Sequence, residues 1–475
     1  MKDVFSKILP MVFLSASIIG CAGGPDEKRG QRSIDPVKWE GIWEGVIRAG
    51  GQELRIVFKI NRTKTGSWEA TMDSPDQGVK DIPVKNIKVE GMSIRIDIPA
   101  IGARYKGELN ESELMIKGIW QQAGGDYPVD LQPVKEVTVI ERPQDPHPPY
   151  PYISRDIRFK NEEDGITLAG TLTIPEFVGR HPAVVLVSGS GAQNRNEEIM
   201  NHRPFLVLAD HLTRNGITVF RYDDRGAGES EGDTKTATSA DLAGDAWAAV
   251  KFLMSQPEVD DSAVGLVGHS EGGLIAAMLA AEHRQIAFLV LLASPGLPGY
   301  ELLLKQSAAI LKASGASESR ITQVQEVNRR IYDIILGEPD NEIAAEELRS
   351  FMKSIGMKKE QADAQISQLL SPWYRFFLSY DPIPTFKRVK CPVLALNGSL
   401  DVQVPADINL KAIEDALSLG GNERITIQRL PGLNHLFQHA ESGLVEEYAR
   451  IEETFAPEVM EIIVRWIKES VAGRS

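Results

Sequence analysis

The sequence contains little cysteine and no run of basic residues beyond its first positions. Two cysteines among 475 residues are too few for a disulfide framework or a cysteine-based metal site. The formal net charge of −14 argues against nucleic acid as a partner. No glycine-rich loop ends in Gly-Lys-Ser or Gly-Lys-Thr, and no His and Asp cluster has the spacing of metal ligands. No metal or organic cofactor is therefore predicted.

The chain otherwise has an ordinary globular composition, with 42% hydrophobic and 25% charged residues. Its length is sufficient for two or three domains that each have a core. The pattern of the sequence changes several times along the chain, and these changes predict the domain boundaries.

The first cysteine follows an apolar segment at the start of the chain. Residues 8–19 form an apolar stretch that is shorter than the ~20 residues of a membrane-spanning helix. The stretch ends in Ile-Ile-Gly before Cys21, and it resembles the signal of a bacterial lipoprotein, in which that cysteine is lipidated. A general secretory signal and a short buried helix are the alternatives. The resemblance implies a signal peptide over residues 1–20 and a tether over residues 21–36.

The same resemblance implies a location in the bacterial cell envelope, with a lipid anchor in the membrane. Ala22, rather than Asp, follows the cysteine, which by analogy favours the outer membrane. The membrane face stays open.

Residues 37–137 have the pattern of a small all-β domain, either a barrel or a sandwich. Short runs of alternating apolar and polar residues recur and are separated by turn residues, as in residues 54–60, 93–98 and 114–120. The segment resembles the lipocalin-like β-domains that precede some bacterial hydrolases. Its aromatic residues are predicted to be core. A Pro-rich linker is predicted over residues 138–152, because five prolines lie between residues 142 and 151.

Residues 153–472 alternate between continuous apolar runs and amphipathic helical runs. This alternation predicts an α/β domain with a doubly wound, mostly parallel sheet that is covered on both faces. The alternation stops over residues 298–382, where the sequence is helical. We predict that this insertion forms a cap at the carboxyl edge of the sheet, where ligands bind in such folds.

The sequence Gly-His-Ser-Glu-Gly at residues 268–272 is the most informative motif of the chain. It lies between an apolar strand pattern and a small-residue helix pattern. A serine at such a strand–turn–helix apex has its hydroxyl exposed and acts as a nucleophile. The two glycines of the motif avoid a collision between strand and helix. Ser270 is therefore the predicted nucleophile, and an ordinary helix N-cap is the alternative.

A serine nucleophile needs a base and an acid that orients the base. Asp401 follows an apolar strand pattern and His435 follows the last one, so both are predicted at the same sheet edge as Ser270. Asp407 and Asp381 are the alternative acids, and His439 is the alternative base. His269 is predicted to pack beside the nucleophile. His202, His211 and His283 are predicted to be surface residues.

The oxyanion of the reaction needs two backbone N–H donors. The N–H of Glu271 opens the helix after the nucleophile. The second donor is expected in the loop Ser-Gly-Ser-Gly at residues 188–191, where we predict the N–H of Ser190. Gly189 and Gly191 are the alternatives, and a plain glycine-rich turn without this role is also compatible with the pattern.

These motifs, together with Asp-Asp-Arg-Gly-Ala-Gly-Glu-Ser at residues 223–230, resemble the α/β-hydrolase superfamily. Within it, residues 153–472 are similar to serine aminopeptidase-like and dienelactone-hydrolase-like esterases. In that superfamily the 223–230 block is structural, which implies a buried ion pair for Arg225. The usual His-Gly pair of the oxyanion loop is replaced here by Ser188 and Gly189.

The resemblance implies a serine esterase that cleaves small-molecule carboxylic esters through an acyl-enzyme intermediate. An amide or peptide hydrolase with the same catalytic residues is the first alternative. A ligand-binding lipoprotein without catalysis is the second. The sequence predicts neither the acyl and alcohol groups of the substrate nor the oligomeric state.

Overall fold

The computed structural model describes residues 39–49, 52–77, 79–110, 112, 114–122, 125–137 and 141–472. The predicted signal peptide, the tether and Cys21 lie outside the described residues. The chain divides into two compact units. The first comprises residues up to 140 together with 349–365, and the second comprises the rest of the chain.

The first unit is built from two five-stranded sheets. The sheet orders are β10-β1-β2-β3-β4 and β5-β6-β7-β8-β9, and every paired neighbour is antiparallel. The strands are β1 (Gly41–Ala49), β2 (Gln52–Arg62), β3 (Trp68–Ser74), β4 (Val79–Pro83), β5 (Asn86–Glu90), β6 (Ser93–Ile98), β7 (Ala103–Asn110), β8 (Met115–Gln122), β9 (Gly125–Pro128) and β10 (Gln132–Val134). The part of the first unit before residue 141 is therefore all-β where it is described.

Large aromatic side chains fill the space between the two sheets. Phe58 lies 5.7 Å from Tyr105 and 6.5 Å from Trp120, measured between ring centroids. The Tyr105 hydroxyl donates to the carbonyls of Ile116 and Val129, so its polar atom is satisfied inside the core. These aromatic residues are core residues, as the sequence predicts.

The second unit contains one eight-stranded sheet in the order β11-β12-β14-β13-β15-β16-β17-β18. From β14 to β18 the neighbours are parallel, whereas β12 is antiparallel to both of its neighbours. The strands are β11 (Tyr152–Asn161), β12 (Ile166–Pro175), β13 (His181–Val187), β14 (Thr218–Tyr222), β15 (Val259–His269), β16 (Leu289–Leu292), β17 (Val393–Gly398) and β18 (Ile425–Leu430). The sheet is thus mostly parallel, and the carboxyl ends of its six parallel strands meet at one edge.

Twelve α-helices lie among the described residues after position 203. Six of them, α4 to α9, follow one another between β16 and β17 with no described strand between them. The helices are α1 (Pro204–Arg214), α2 (Ser239–Met254), α3 (Glu271–Glu282), α4 (Gly299–Ala313), α5 (Glu318–Gly337), α6 (Asn341–Ser354), α7 (Lys359–Leu369), α8 (Pro372–Ser379), α9 (Ile383–Arg388), α10 (Ala406–Leu419), α11 (Val445–Tyr448) and α12 (Pro457–Val471). No helix among the described residues is both long and apolar enough to span a membrane.

Part of the predicted linker is fixed to the second unit. The Arg142 guanidinium donates to the carbonyls of Ile451, Met200 and Ala449 at 2.7–3.1 Å. The Gln144 side chain bonds to backbone groups of residues 454 and 455. Two polar side chains among the prolines thus satisfy backbone groups that the loops leave open.

Candidate active site

The nucleophile turn, named for the predicted nucleophile Ser270, joins β15 to α3. Ser270 has φ 53°, a left-handed conformation that is strained for a residue with a Cβ. A Cβ on Gly268 would collide with the carbonyl of Gly272, and one on Gly272 would collide with that of Val187. Both glycines are needed for the close approach of strand and helix. Ser270 occupies the N-cap position of α3, but its side chain makes no capping hydrogen bond, so capping does not explain a serine at this position.

His435 and Asp401 form a buried pair on two loops at the same edge. His435 Nδ1 lies 2.8 Å from Asp401 Oδ2. The other carboxylate oxygen, Oδ1, accepts the N–H groups of Gln403 and Val404 at 2.8 Å each. Both side chains are at most 6% exposed. The carboxylate therefore fixes the imidazole with its proton on Nδ1, which leaves Nε2 free to accept one.

The competing residues are engaged elsewhere. Asp407 is exposed and pairs with Arg429 at 2.8 Å. His439 is exposed and lies within 3.2 Å of the carboxylates of Glu453 and Glu458. Asp381 is exposed, and its carboxylate accepts the N–H of Ile383. None of the three has the burial of the His435–Asp401 pair.

In the loop after β13, one of the candidate oxyanion donors already has a hydrogen-bond acceptor. The N–H of Gly189 donates to Glu197 Oε1 at 2.6 Å, so Gly189 is removed as an alternative. A Cβ on Gly189 would lie 3.2 Å from that of Ser270, which places this loop directly beside the nucleophile. Ser190 and Gly191 follow in this loop. The N–H of Glu271 is the first of α3 and has no acceptor within the helix.

The side chain of Glu271 joins the nucleophile turn to the helical insertion. Its Oε1 accepts the hydroxyl of Ser239 at 2.5 Å and the indole N–H of Trp373 at 2.8 Å. Trp373 lies on α8 and stacks on Phe377 at 5.2 Å. Burial raises the pKa of the Glu271 carboxyl, and its hydrogen bonds only partly offset this. An aromatic ring of the insertion is thus held next to the residue that follows Ser270.

A buried pair of His269 and Glu197 lies next to the turn that carries Ser270. His269 Nδ1 is 2.9 Å from Glu197 Oε1, and His269 Nε2 is 2.9 Å from the carbonyl oxygen of His435. Burial disfavours the charged imidazole, but the facing Glu197 carboxylate outweighs it, so the pKa of His269 is raised. His269 is therefore more than the packing residue that the sequence predicts.

The buried carboxyl of Asp224 holds the loop after β13 in place. Asp224 accepts the hydroxyl of Ser188 and the N–H of Gln193. Burial raises the pKa of Asp224 to about 8, with a further contribution from the charge of Glu197. Arg225, next to it, pairs with Asp245 at 2.6 Å, which agrees with the structural role implied for its block.

Because its pKa is raised, Asp224 makes the stability of the folded protein depend on pH. An ordinary Asp titrates near pH 4, so the unfolded chain loses this proton there while the folded chain keeps it to about pH 8. The folded state then binds more protons, and the contribution of Asp224 to stability falls as the pH rises through that window. Asp224→Asn removes this titration while keeping an acceptor for Gln193 and a polar partner for Ser188.

The free energy of unfolding should fall between pH 5 and pH 8 in the unmodified protein. In Asp224→Asn we expect this fall to be smaller by roughly 2–4 kcal/mol. Urea unfolding at both pH values measures it. Asp233→Asn, at an exposed position, is the control and should follow the unmodified protein. Parallel curves for the Asp224 variant and the unmodified protein would contradict the expectation.

One histidine assignment is wrong. His202 was predicted at the surface, but it is fully buried. Its ring nitrogens lie 3.0 Å from the Thr454 hydroxyl and 2.7 Å from the Tyr448 carbonyl. Burial lowers the pKa of His202 to about 4, so it is a neutral core residue. Its partners are about 250 positions away along the chain, and no local pattern indicates them.

Several residues of the site had no sequence-based assignment. They are Glu197, the carboxyl of Glu271, Trp373 and Asn434. Asn434 is fully buried, and its Oδ1 accepts the N–H groups of Leu436 and Gln438 at 3.0 Å, so it shapes the turn that carries His435. A polar residue directly before the predicted base is the one signal that could have found it.

The mostly parallel sheet, the strained serine between strand and helix and the helical insertion resemble the architecture of α/β-hydrolases. Residues 200–332 match the family model described as serine aminopeptidase, S33. In the described residues, no cluster of three His, Cys, Asp or Glu side chains could hold a metal ion.

The chain is similar to esterase EstD of Thermotoga maritima, with 28% identity over 312 residues, which cover 64% of this chain and 67% of that protein. It is also similar to thiohydrolase aneE of Aspergillus aculeatus, with 34% identity over 27% of this chain and 37% of that protein. Among solved structures, it is similar to the Pyrococcus furiosus esterase Pf2001, with a TM-score of 0.42 and 18% identity over 71% of this chain and 98% of that chain. The family match and the sequence relatives confirm the prediction that the chain is a hydrolytic enzyme.

Proposed function

We propose that this protein is a serine esterase that cleaves small carboxylic esters through a Ser270–His435–Asp401 triad. The observation that carries the proposal is the buried 2.8 Å hydrogen bond between His435 and Asp401. It lies on loops at the sheet edge where β15 delivers Ser270 on a strained turn. A nucleophile, a base and an orienting acid at one edge are what acyl transfer requires.

In the proposed mechanism, Ser270 Oγ attacks the carbonyl carbon of the ester while His435 Nε2 takes the hydroxyl proton. The N–H groups of Glu271 and Ser190 bind the oxyanion of the tetrahedral intermediate. His435 then gives its proton to the leaving alcohol. Water releases the acid from Ser270 by the same steps in reverse order. Asp401 stabilises the imidazolium throughout.

Ester cleavage is favoured over amide cleavage by the similarity to esterase EstD. The description of the matching family as serine aminopeptidase supports the amide or peptide alternative. The catalytic residues are the same in both, so the leaving group distinguishes them. The lipid anchor at Cys21 and the location in the cell envelope are also part of our proposal, and they rest on the sequence alone.

The test uses the purified protein with nitrophenyl esters of graded acyl length and with aminoacyl nitroanilides. We expect kcat/KM for the best ester to exceed that for every anilide, and a fluorophosphonate probe to label Ser270, as located by peptide mass. Faster turnover of an anilide would favour the amide hydrolase. Absence of both turnover and labelling would favour a binding protein.

A further inference from the structure

The side chain of Glu197 contacts two parts of the active site at once. One oxygen, Oε1, accepts the N–H of Gly189 at 2.6 Å and faces His269 Nδ1 at 2.9 Å. Glu197 is 4% exposed and has φ 51°, a conformation that costs free energy for a residue with a side chain. The surrounding structure therefore holds this carboxylate at a fixed place between the oxyanion loop and the nucleophile turn.

The hydrogen bonds of His269 define its protonation state. Its Nε2 faces the carbonyl oxygen of His435 at 2.9 Å, and a carbonyl can only accept. Its Nδ1 faces a carboxylate oxygen, which also accepts when it is ionised. Both ring nitrogens therefore face acceptors, and the negative charge of Glu197 favours the doubly protonated imidazolium. The raised pKa of His269 agrees with this geometry.

The Glu197–His269 pair also contacts the loop that carries His435, through a backbone carbonyl. The acceptor of His269 Nε2 is the carbonyl of His435 itself, and the two imidazole rings are 4.7 Å apart between centroids. The charged groups that face His269 are Glu197, at 2.9 Å, and Asp401, which is farther away and is paired with His435.

We propose that Glu197 and His269 are positioning residues whose ion pair aligns three catalytic loops. It holds the oxyanion loop through Gly189, the nucleophile turn through His269, and the loop of the base through the His435 carbonyl. The proposal rests on the proposed function, because it assigns those loops to catalysis. Neither residue touches the reacting atoms.

One oxygen of the Glu197 carboxylate can be replaced without the loss of a hydrogen bond. Its second oxygen, Oε2, is buried and has no hydrogen-bond partner among the described residues. In Glu197→Gln the amide oxygen can keep the N–H of Gly189, while the amide nitrogen takes the place of the unpartnered oxygen. Without the negative charge, burial favours the neutral ring of His269. The substitution thus removes the charge and leaves the shape. Glu197→Ala would instead leave His269 buried without its counter-ion, which is strongly destabilising.

The experiment has a spectroscopic arm on the unmodified protein and a kinetic arm on Glu197→Gln. In 15N-histidine spectra, assigned with a His269→Gln variant, we expect both ring nitrogens of His269 to be protonated at pH 7.5. In Glu197→Gln we expect one of them to be deprotonated at that pH. We also expect kcat to fall ten- to a hundredfold with KM within about twofold, which is less than the roughly 10²–10³-fold loss of a whole oxyanion donor.

Glu198→Gln is the matched control, because this neighbouring carboxylate faces Asn194 and Arg203 instead of the catalytic loops. It should keep the unmodified kcat and the unmodified spectrum of His269. A neutral His269 in the unmodified protein would overturn the proposal, and so would an unmodified kcat in Glu197→Gln. If the proposed function is wrong, the unmodified protein hydrolyses neither esters nor amides and is not labelled by the fluorophosphonate probe. The spectra of His269 still show in that case whether the pair is charged.

Discussion

Replacement of Ser270 by alanine is expected to lower kcat by about 10⁶-fold, which is the loss that follows removal of the nucleophile from a serine hydrolase. Without Oγ no acyl-enzyme forms, and the remaining rate comes from substrate binding and the oxyanion donors. The loss should appear for every substrate that the protein hydrolyses, because the same hydroxyl starts each reaction. Initial rates with the best nitrophenyl ester measure it.

The fold should survive this substitution. The Ser270 side chain makes no capping hydrogen bond. Its removal therefore takes no hydrogen-bond partner away from the N–H groups of α3. The midpoint of thermal unfolding should stay within a few degrees of the unmodified value. Ser255→Ala, at an exposed position at the end of α2, is the control and should retain full activity. A Ser270→Ala protein that keeps even a hundredth of the unmodified rate would exclude Ser270 as the nucleophile.

The parallel part of the sheet could be predicted because its strands are buried on both faces. Val393–Gly398 is buried along its whole length, and such a strand is a continuous apolar run in the sequence. Strand β11 did not give this signal. Tyr152–Asn161 lies at the edge of the sheet and most of its residues are exposed or half-buried, so its charged residues resemble those of a loop.

The catalytic candidates were found by the same reasoning. Asp401 and His435 each follow an apolar strand, and parallel strands deliver such residues to one edge. Glu197 has no comparable signal, because it lies on an irregular loop and its partner His269 is 72 positions away. Trp373 bonds to a carboxylate 102 positions away. Contacts of this kind follow from the tertiary packing and leave no periodicity in the sequence.

Replacement of Asp401 by asparagine is expected to lower kcat by about 10⁴-fold, since an amide at this place favours the wrong tautomer of the base. The reason lies in the donors around the carboxylate. The N–H groups of Gln403 and Val404 both face Oδ1 at 2.8 Å, so the amide oxygen of asparagine takes that place. The amide nitrogen must then face His435 Nδ1, where Oδ2 lay.

An amide nitrogen donates, so His435 Nδ1 has to accept, and the ring proton moves to Nε2. A protonated Nε2 on a neutral ring cannot take the proton of Ser270, although every heavy atom stays in place. Kinetics with the best ester measure the loss, and the proton spectrum should lose the downfield signal of the Nδ1 proton. Asp407→Asn and Asp381→Asn are the controls, because both carboxylates are exposed. If either control loses as much activity as Asp401→Asn, or if Asp401→Asn loses less than about tenfold, another carboxylate orients the base.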